Sequence, residues 1–97
     1  MDEDVRVAAF LHAKPGQEDA VKDAALACVA PTRAEAGNNM YVLHRDTKEP
    51  ALFVFVEHWK SQQALDQHMQ TPHFQALTQA LDGKLAKPMV VHVLSPI

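Results

Sequence analysis

The sequence predicts a single α+β domain whose strands and helical regions alternate in the order β-α-β-β-α-β. Segments rich in β-branched and aromatic residues predict the strands, and apolar residues at helical spacing predict the helices between them. A chain of 97 residues has room for one domain, so we assign residues 1–97 to it. The element order is that of a ferredoxin-like sheet with its helices on one face.

The first strand and the first helix occupy the N-terminal third of the chain. Residues 5–12 alternate between two apolar faces, and Lys14-Pro15-Gly16 ends this strand. Acidic residues at 18 and 19 favour a helix start, and apolar residues follow at helical spacing: Val21, Ala24, Ala25, Cys28 and Val29. Pro31 lacks the N–H of a continuing helix, so the helix kinks or ends there and resumes briefly over 32–36.

A hairpin and two further helices follow. Residues 39–45 and 51–59 predict strands, with 46–50 as the connection between them. Ser61 is the predicted N-cap of a short helix that ends near residue 70, and Thr71-Pro72 predicts the start of the next helix. The apolar stripe of that helix is Phe74, Leu77, Leu81 and Leu85. Lys87-Pro88 ends it, and 89–94 is the last predicted strand.

The third strand predicts a homodimer. Its centre, Leu-Phe-Val-Phe-Val at 52–56, is apolar on both faces, whereas an antiparallel strand with one wet face alternates. The helical regions can cover one face of the sheet only. We therefore expect a second copy of the chain to cover the other face.

Composition excludes several classes of function. The net charge is −3 and the nine basic residues are scattered along the chain, so a nucleic-acid-binding surface is not expected. The acidic start of the chain is unlike a signal peptide, and no apolar run reaches the length of a membrane span. The lone Cys28 predicts core packing and no internal disulfide. A cytoplasmic protein without membrane partners is the expectation.

No cofactor is predicted. The three glycines are isolated, so the chain has no dinucleotide fingerprint and no phosphate loop. His68 and His73 are five residues apart across Pro72, which is not the spacing of a helical metal-ligand pair. We expect no metal site.

His68 is the strongest candidate for chemistry. It lies within the apolar stripe of a predicted helix, where an imidazole needs a hydrogen-bonding partner. A core histidine satisfied by its neighbours is one interpretation, and a base that accepts a proton from a phenol is the other. Glu57 or Tyr41 could hold its second ring proton. The residues expected around the same sheet–helix space are Tyr41, Phe53, Phe55, Glu57, Trp59, His73 and Phe74. His44, beside a turn, fits a surface or a pocket equally well.

Four segments resemble the antibiotic-biosynthesis-monooxygenase superfamily. They are His-Ala-Lys-Pro-Gly-Gln-Glu at 12–18, Tyr-Val-Leu-His-Arg-Asp at 41–46, Glu-His-Trp-Lys-Ser at 57–61 and Ala-Leu-Asp-Gln-His-Met-Gln-Thr-Pro-His-Phe at 64–74. The most specific piece, His-x-x-Thr-Pro-His-Phe, is similar to the bacterial quinol monooxygenase branch.

The resemblance implies a dimeric α+β barrel and a pocket between sheet and helices in each subunit. It also implies oxidation of a small phenol or quinol by O₂ without metal or flavin. Transferred position by position, it places His68, His73 and Trp59 near the pocket, followed by Tyr41 and His44. We expect His68 and His73 to be catalytic. Tyr41, His44, Phe55, Glu57, Trp59 and Phe74 are the expected substrate-binding residues.

Two other functions stay open. An isomerase of a small phosphorylated ketose-like signal in the same superfamily shares the Thr-Pro-His segment at 71–73. A dimeric stress protein that only binds a small molecule would use the same pocket. Haem degradation is disfavoured, because residues 5–12 lack the asparagine that haem-degrading relatives use.

Overall fold

The computed structural model describes residues 4–97 and contains one four-stranded antiparallel sheet in the order β2-β3-β1-β4. The elements are β1 (Val5–His12), α1 (Glu18–Ala27), α2 (Val29–Arg33), β2 (Asn38–Arg45), β3 (Leu52–Trp59), α3 (Gln62–His68), α4 (Pro72–Leu81) and β4 (Val90–Leu94). This topology confirms the predicted ferredoxin-like α+β fold. No helix within 4–97 is both long and apolar enough to cross a membrane.

The register of the strands sorts their side chains onto two faces. β1 pairs with β3 so that Val7 lies opposite Glu57 and Ala9 opposite Phe55. These residues are buried beneath the helices, as is Tyr41, which lies opposite Glu57 on β2. Because successive side chains of a strand alternate, their sequence neighbours lie on the opposite face of the sheet.

That opposite face is apolar and partly exposed. It includes Phe10, Val54 and Val56 on the two central strands and Val90 on the edge strand β4. Val56 and Val90 are each 37% exposed. The homodimer predicted through this face stays a prediction.

Two helix boundaries differ from the sequence-based expectation. Pro31 has no N–H to bond to the carbonyl of Ala27, and α1 ends at Ala27. The chain then continues directly as α2, which contains Pro31. The predicted stripe of the last helix reached Leu85, but α4 ends at Leu81. Gly83 follows with a φ of +76°, a conformation that ends a helix and favours glycine.

Candidate active site

A small cavity lies between the sheet and the C-terminal helices. Its lining is apolar apart from two ionisable side chains, those of Glu57 and His68; the apolar residues are Val7, Ala9, Phe55, Leu65, Met69, Phe74, Met89 and Val91. The cavity has a volume of about 20 Å³, which matches one water molecule and not an aromatic ring. Two of the lining residues, Met69 and Met89, have flexible side chains that can move to enlarge it.

The ring of His68 is held at the end of α3 by aromatic neighbours. α3 starts at a fixed point because the Ser61 hydroxyl accepts a hydrogen bond from the Ala64 amide at 3.1 Å. The imidazole is 2% exposed and its centroid lies 4.7 Å from that of Trp59 and 5.1 Å from that of Phe74. These contacts fix the position of the ring and exclude bulk water from it.

One carboxylate oxygen joins the two predicted catalytic histidines. Glu35 Oε2 lies 2.7 Å from His68 Nδ1 and 2.7 Å from His73 Nε2. A carboxylate only accepts, so each of these ring nitrogens carries the proton of its hydrogen bond. A neutral His68 with its proton on Nδ1 keeps the lone pair of Nε2 for another partner.

The loop before β2 brings Glu35 to the histidines. In this loop Gly37 lies directly against Ala64 of α3, so closely that a Cβ at position 37 would collide with the alanine side chain. Thr71 orients the second histidine, because its hydroxyl accepts a hydrogen bond from the Phe74 amide and starts α4 with Pro72 in its first turn. Three separate elements therefore supply the three side chains.

Burial sets the protonation of the two ionisable residues in the cavity. It lowers the pKa of His68, although the hydrogen bond and the charge of Glu35 act in the opposite direction. Burial raises the pKa of Glu57 to about 7, although the indole of Trp59 donates a hydrogen bond to its Oε1 at 2.9 Å. The cavity thus contains a neutral imidazole and a carboxyl group that changes charge close to neutral pH.

The structure brings most of the predicted site residues together. Phe55, Glu57, His68 and Phe74 line the cavity, and Trp59 packs on the imidazole from outside the lining. The ring of Tyr41 also lies beside His68, with 5.6 Å between the centroids. His73 contacts the site through Glu35. His44 is exposed on β2 and lies apart from the cavity, because it is three residues from the inward-facing Tyr41 and so faces the other side of the sheet.

The expected partners of His68 were wrong. Glu57 bonds to Trp59, and the Tyr41 hydroxyl bonds to Cys28 Sγ at 3.7 Å, while burial raises the pKa of this phenol. Glu35 takes the role instead. The sequence gives little sign of it, since Glu35 lies in a loop with no periodic pattern; its position two residues before Gly37 is the only local hint.

Residues 4–80 match the family described as antibiotic biosynthesis monooxygenase. The chain belongs to the antibiotic biosynthesis monooxygenase family. The matched segment contains Glu35, His68 and His73, so the candidate site lies within the part that defines the family relationship.

The chain is also similar to several known proteins in sequence and structure. The chain is 32% identical over 97 residues to the Mycobacterium tuberculosis protein Rv0793, which is named as a candidate monooxygenase, with 100% of this chain and 95% of that protein covered. It is 30% identical over 92 residues to the uncharacterised Synechocystis protein sll1783, covering 95% of this chain and 63% of that longer protein. The crystal structure of PA3566 from Pseudomonas aeruginosa superposes with a TM-score of 0.94 at 32% identity, over 100% of this chain and 97% of that one.

Proposed function

We propose that this protein is a cofactor-independent monooxygenase that oxidises a small phenolic or quinol substrate with O₂ in the cavity beside His68. The observation that carries the proposal is a buried imidazole whose Nδ1 is held by Glu35, leaving Nε2 as the proton acceptor. Family membership supports a monooxygenase role.

Oxidation of a phenol by O₂ without a cofactor requires only a base and a site that excludes water. His68 Nε2 removes the hydroxyl proton of the substrate, and the electron-rich phenolate then gives one electron to O₂. The resulting radicals combine to form a C–O bond, the His68 imidazolium returns its proton to the peroxide oxygen, and the hydroperoxide loses water to leave a quinone. One phenol with a free ring position and one O₂ thus yield one quinone and one water.

Each neighbouring side chain has a role in this scheme. Glu35 keeps His68 in the required tautomer and stabilises the imidazolium that forms, as the carboxylate does in other histidine-based sites. His73, on the same carboxylate oxygen, holds Glu35 in place. Glu57 lines the cavity and in its protonated form can donate a hydrogen bond to a substrate oxygen. Once the Met69 and Met89 side chains move to enlarge the cavity, its apolar walls can accept the ring and O₂.

The composition of the cavity favours this function over the isomerase alternative. A phosphorylated ligand needs cationic or backbone donors, and no Lys or Arg is among the residues that line the cavity within 4–97. A protein that only binds an aromatic molecule would fit the same walls. Substrate turnover therefore distinguishes the monooxygenase from a protein that only binds the molecule.

Oxygen consumption with a series of hydroquinones and anthrols tests the proposal. We expect His68→Gln to lower kcat by about 10²–10⁴-fold, the range for loss of a general base, while the protein stays folded. His44→Gln is the matched control, because it removes a histidine that is exposed and lies apart from the cavity. Turnover of His68→Gln within about threefold of wild type would contradict the role of His68 as base. Binding of the ring without O₂ consumption would favour the binding protein.

We further propose that the protein works as a homodimer in the cytoplasm. The apolar sheet face, with Val56 and Val90 partly exposed, supports the dimer. The single free cysteine, Cys28, is buried and fits a reducing compartment.

A further inference from the structure

The Glu35–His68–His73 cluster has the donor atoms of a transition-metal site. The three side chains come from the loop after α2, the end of α3 and the first turn of α4, and one ligand atom from each lies within 4.8 Å of the others. We infer that these residues bind a divalent transition-metal ion such as Zn²⁺, and that the ion moves the ring proton of His68 from Nδ1 to Nε2. The functional consequence, loss of the base, rests on the function proposed above.

The distances between Glu35 and the two histidines fit a metal site whose ligands hydrogen-bond to each other when no ion is bound. Glu35 Oε2 is 2.7 Å from each of the two histidine nitrogens. Metal–ligand bonds of about 2.0–2.2 Å place neighbouring donors of a tetrahedral ion roughly 3.3 Å apart. Each histidine nitrogen therefore needs to move only roughly 0.6 Å further from the carboxylate oxygen to admit the ion, and the two nitrogens lie within 4.8 Å of each other. Two imidazoles and one carboxylate are ligands that zinc and neighbouring metals accept.

The burial of the three ligands is graded from the interior to the surface. The side chain of His68 is 2% exposed, whereas those of Glu35 and His73 are 15% and 19% exposed. An ion can therefore approach from the Glu35–His73 side and keep a water molecule as its fourth ligand. The five-residue spacing of His68 and His73 argued against a ligand pair on one helix, whereas the cluster takes its ligands from separate elements, with Glu35 in a distant loop.

Metal binding and base catalysis exclude each other at His68. A metal bound at Nδ1 occupies the lone pair of that nitrogen, so the proton of a neutral ring must sit on Nε2. Nε2 is the atom that the proposed mechanism uses as proton acceptor. An ion in the cluster would thus inhibit the enzyme without touching the substrate.

Co²⁺ and Zn²⁺ binding to the metal-free full-length protein tests the site without any substrate. We expect one ion per chain by calorimetry and a visible Co²⁺ absorption band that Zn²⁺ removes. Glu35→Gln and His73→Gln should each weaken binding by at least about tenfold, as loss of a ligand or its charge does. Thermal unfolding of the variants, compared with wild type, verifies that they fold.

His58→Gln is the matched control, because His58 pairs with Asp4 at the surface and is the other histidine–carboxylate contact in the described chain. It should bind both ions like wild type. If His58→Gln abolishes binding, or if Glu35→Gln and His73→Gln bind as tightly as wild type, the ion lies elsewhere and the inference is overturned. Absence of stoichiometric binding to wild type overturns it as well.

Nitrogen-15 NMR of the histidine rings tests the proton shift directly. In the metal-free protein we expect His68 to carry its proton on Nδ1, and saturating Zn²⁺ should move it to Nε2. An unchanged tautomer would overturn this half of the inference. If no quinol is turned over under any condition, the proposed function fails, while the calorimetry and the NMR still decide the metal site.

Discussion

Glu57 makes the stability of this protein depend on pH. The residue is 5% exposed, and burial raises the pKa of its carboxyl group from 4.5 to about 7. The folded state therefore holds this proton more tightly than the unfolded state does. The stabilisation is complete below about pH 4.5, declines as the pH rises, and is lost above about pH 7. A shift of this size corresponds to ~3 kcal/mol, taken as an upper value.

Glu57→Gln isolates this effect. The amide keeps the size of the side chain and an oxygen that can accept the hydrogen bond from Trp59 Nε1. It cannot ionise, so the variant avoids the cost of a buried charge at high pH. We expect the free energy of unfolding of the variant, relative to wild type, to increase by up to ~3 kcal/mol between pH 5 and pH 8.

Urea unfolding at several pH values and one fixed protein concentration measures this difference, since the concentration matters if the chain dimerises. The difference between variant and wild type is the useful quantity, because the lowered pKa of His68 adds an opposite slope below pH 6.5 to both proteins. Glu49→Gln, which removes an exposed carboxylate from the turn before β3, is the control. Parallel curves for wild type and Glu57→Gln would refute the reasoning and indicate that the Glu57 carboxylate is solvated.

Three further predictions follow from the site and the sheet. In metal-free buffer the oxidation rate should decline on acidification only below pH 6.5, because burial lowers the pKa of the base His68; a rate that already declines on acidification from above pH 7 would contradict this. EDTA should leave the activity intact, and loss of activity restored by one metal would argue for a metal-dependent reaction. Sedimentation at micromolar concentration should show twice the 10.7 kDa chain mass, and Val56→Lys, which places a charge on the apolar face, should shift it to the monomer. A wild-type species of 10.7 kDa would refute the dimer.

The sequence predicted the elements where local physics decides the structure. Ser61 and Thr71 cap their helices as expected, because a hydroxyl before a helix satisfies an otherwise unpaired amide. The strands were predictable because β-branched and aromatic residues are concentrated in them, and in β1 buried residues alternate with more exposed ones from Val5 to His12. The end of α4 could not be predicted in this way. Apolar residues continue at helical spacing to Leu85, although the backbone has already turned at Gly83.

The sequence predicted most of the residues around His68, but it did not predict that Glu35 bonds to His68 and His73. The aromatic residues around His68 were predictable as a set, but strand parity alone does not say which face of the sheet the helices cover, and the structure shows this. Tyr41 and His44 are three residues apart on β2 and so lie on opposite faces of the sheet. The resemblance to known enzymes placed both near the pocket. Glu35 depends on a loop lying against α3 at Gly37 and Ala64, and no local pattern specifies such a contact between distant segments.

The hydrogen bonds of His68 distinguish a reactive histidine from a packed one. A purely structural imidazole in an apolar core needs a partner for both ring nitrogens, since an unpaired buried polar atom is costly. Within residues 4–97 the hydrogen bond found for this ring runs through Nδ1 to Glu35. His68 lines the cavity, so its second ring nitrogen, Nε2, is the one left for a ligand there. A leucine at position 68 would fill the same volume without this cost. The arrangement therefore favours a ring nitrogen kept available for a ligand.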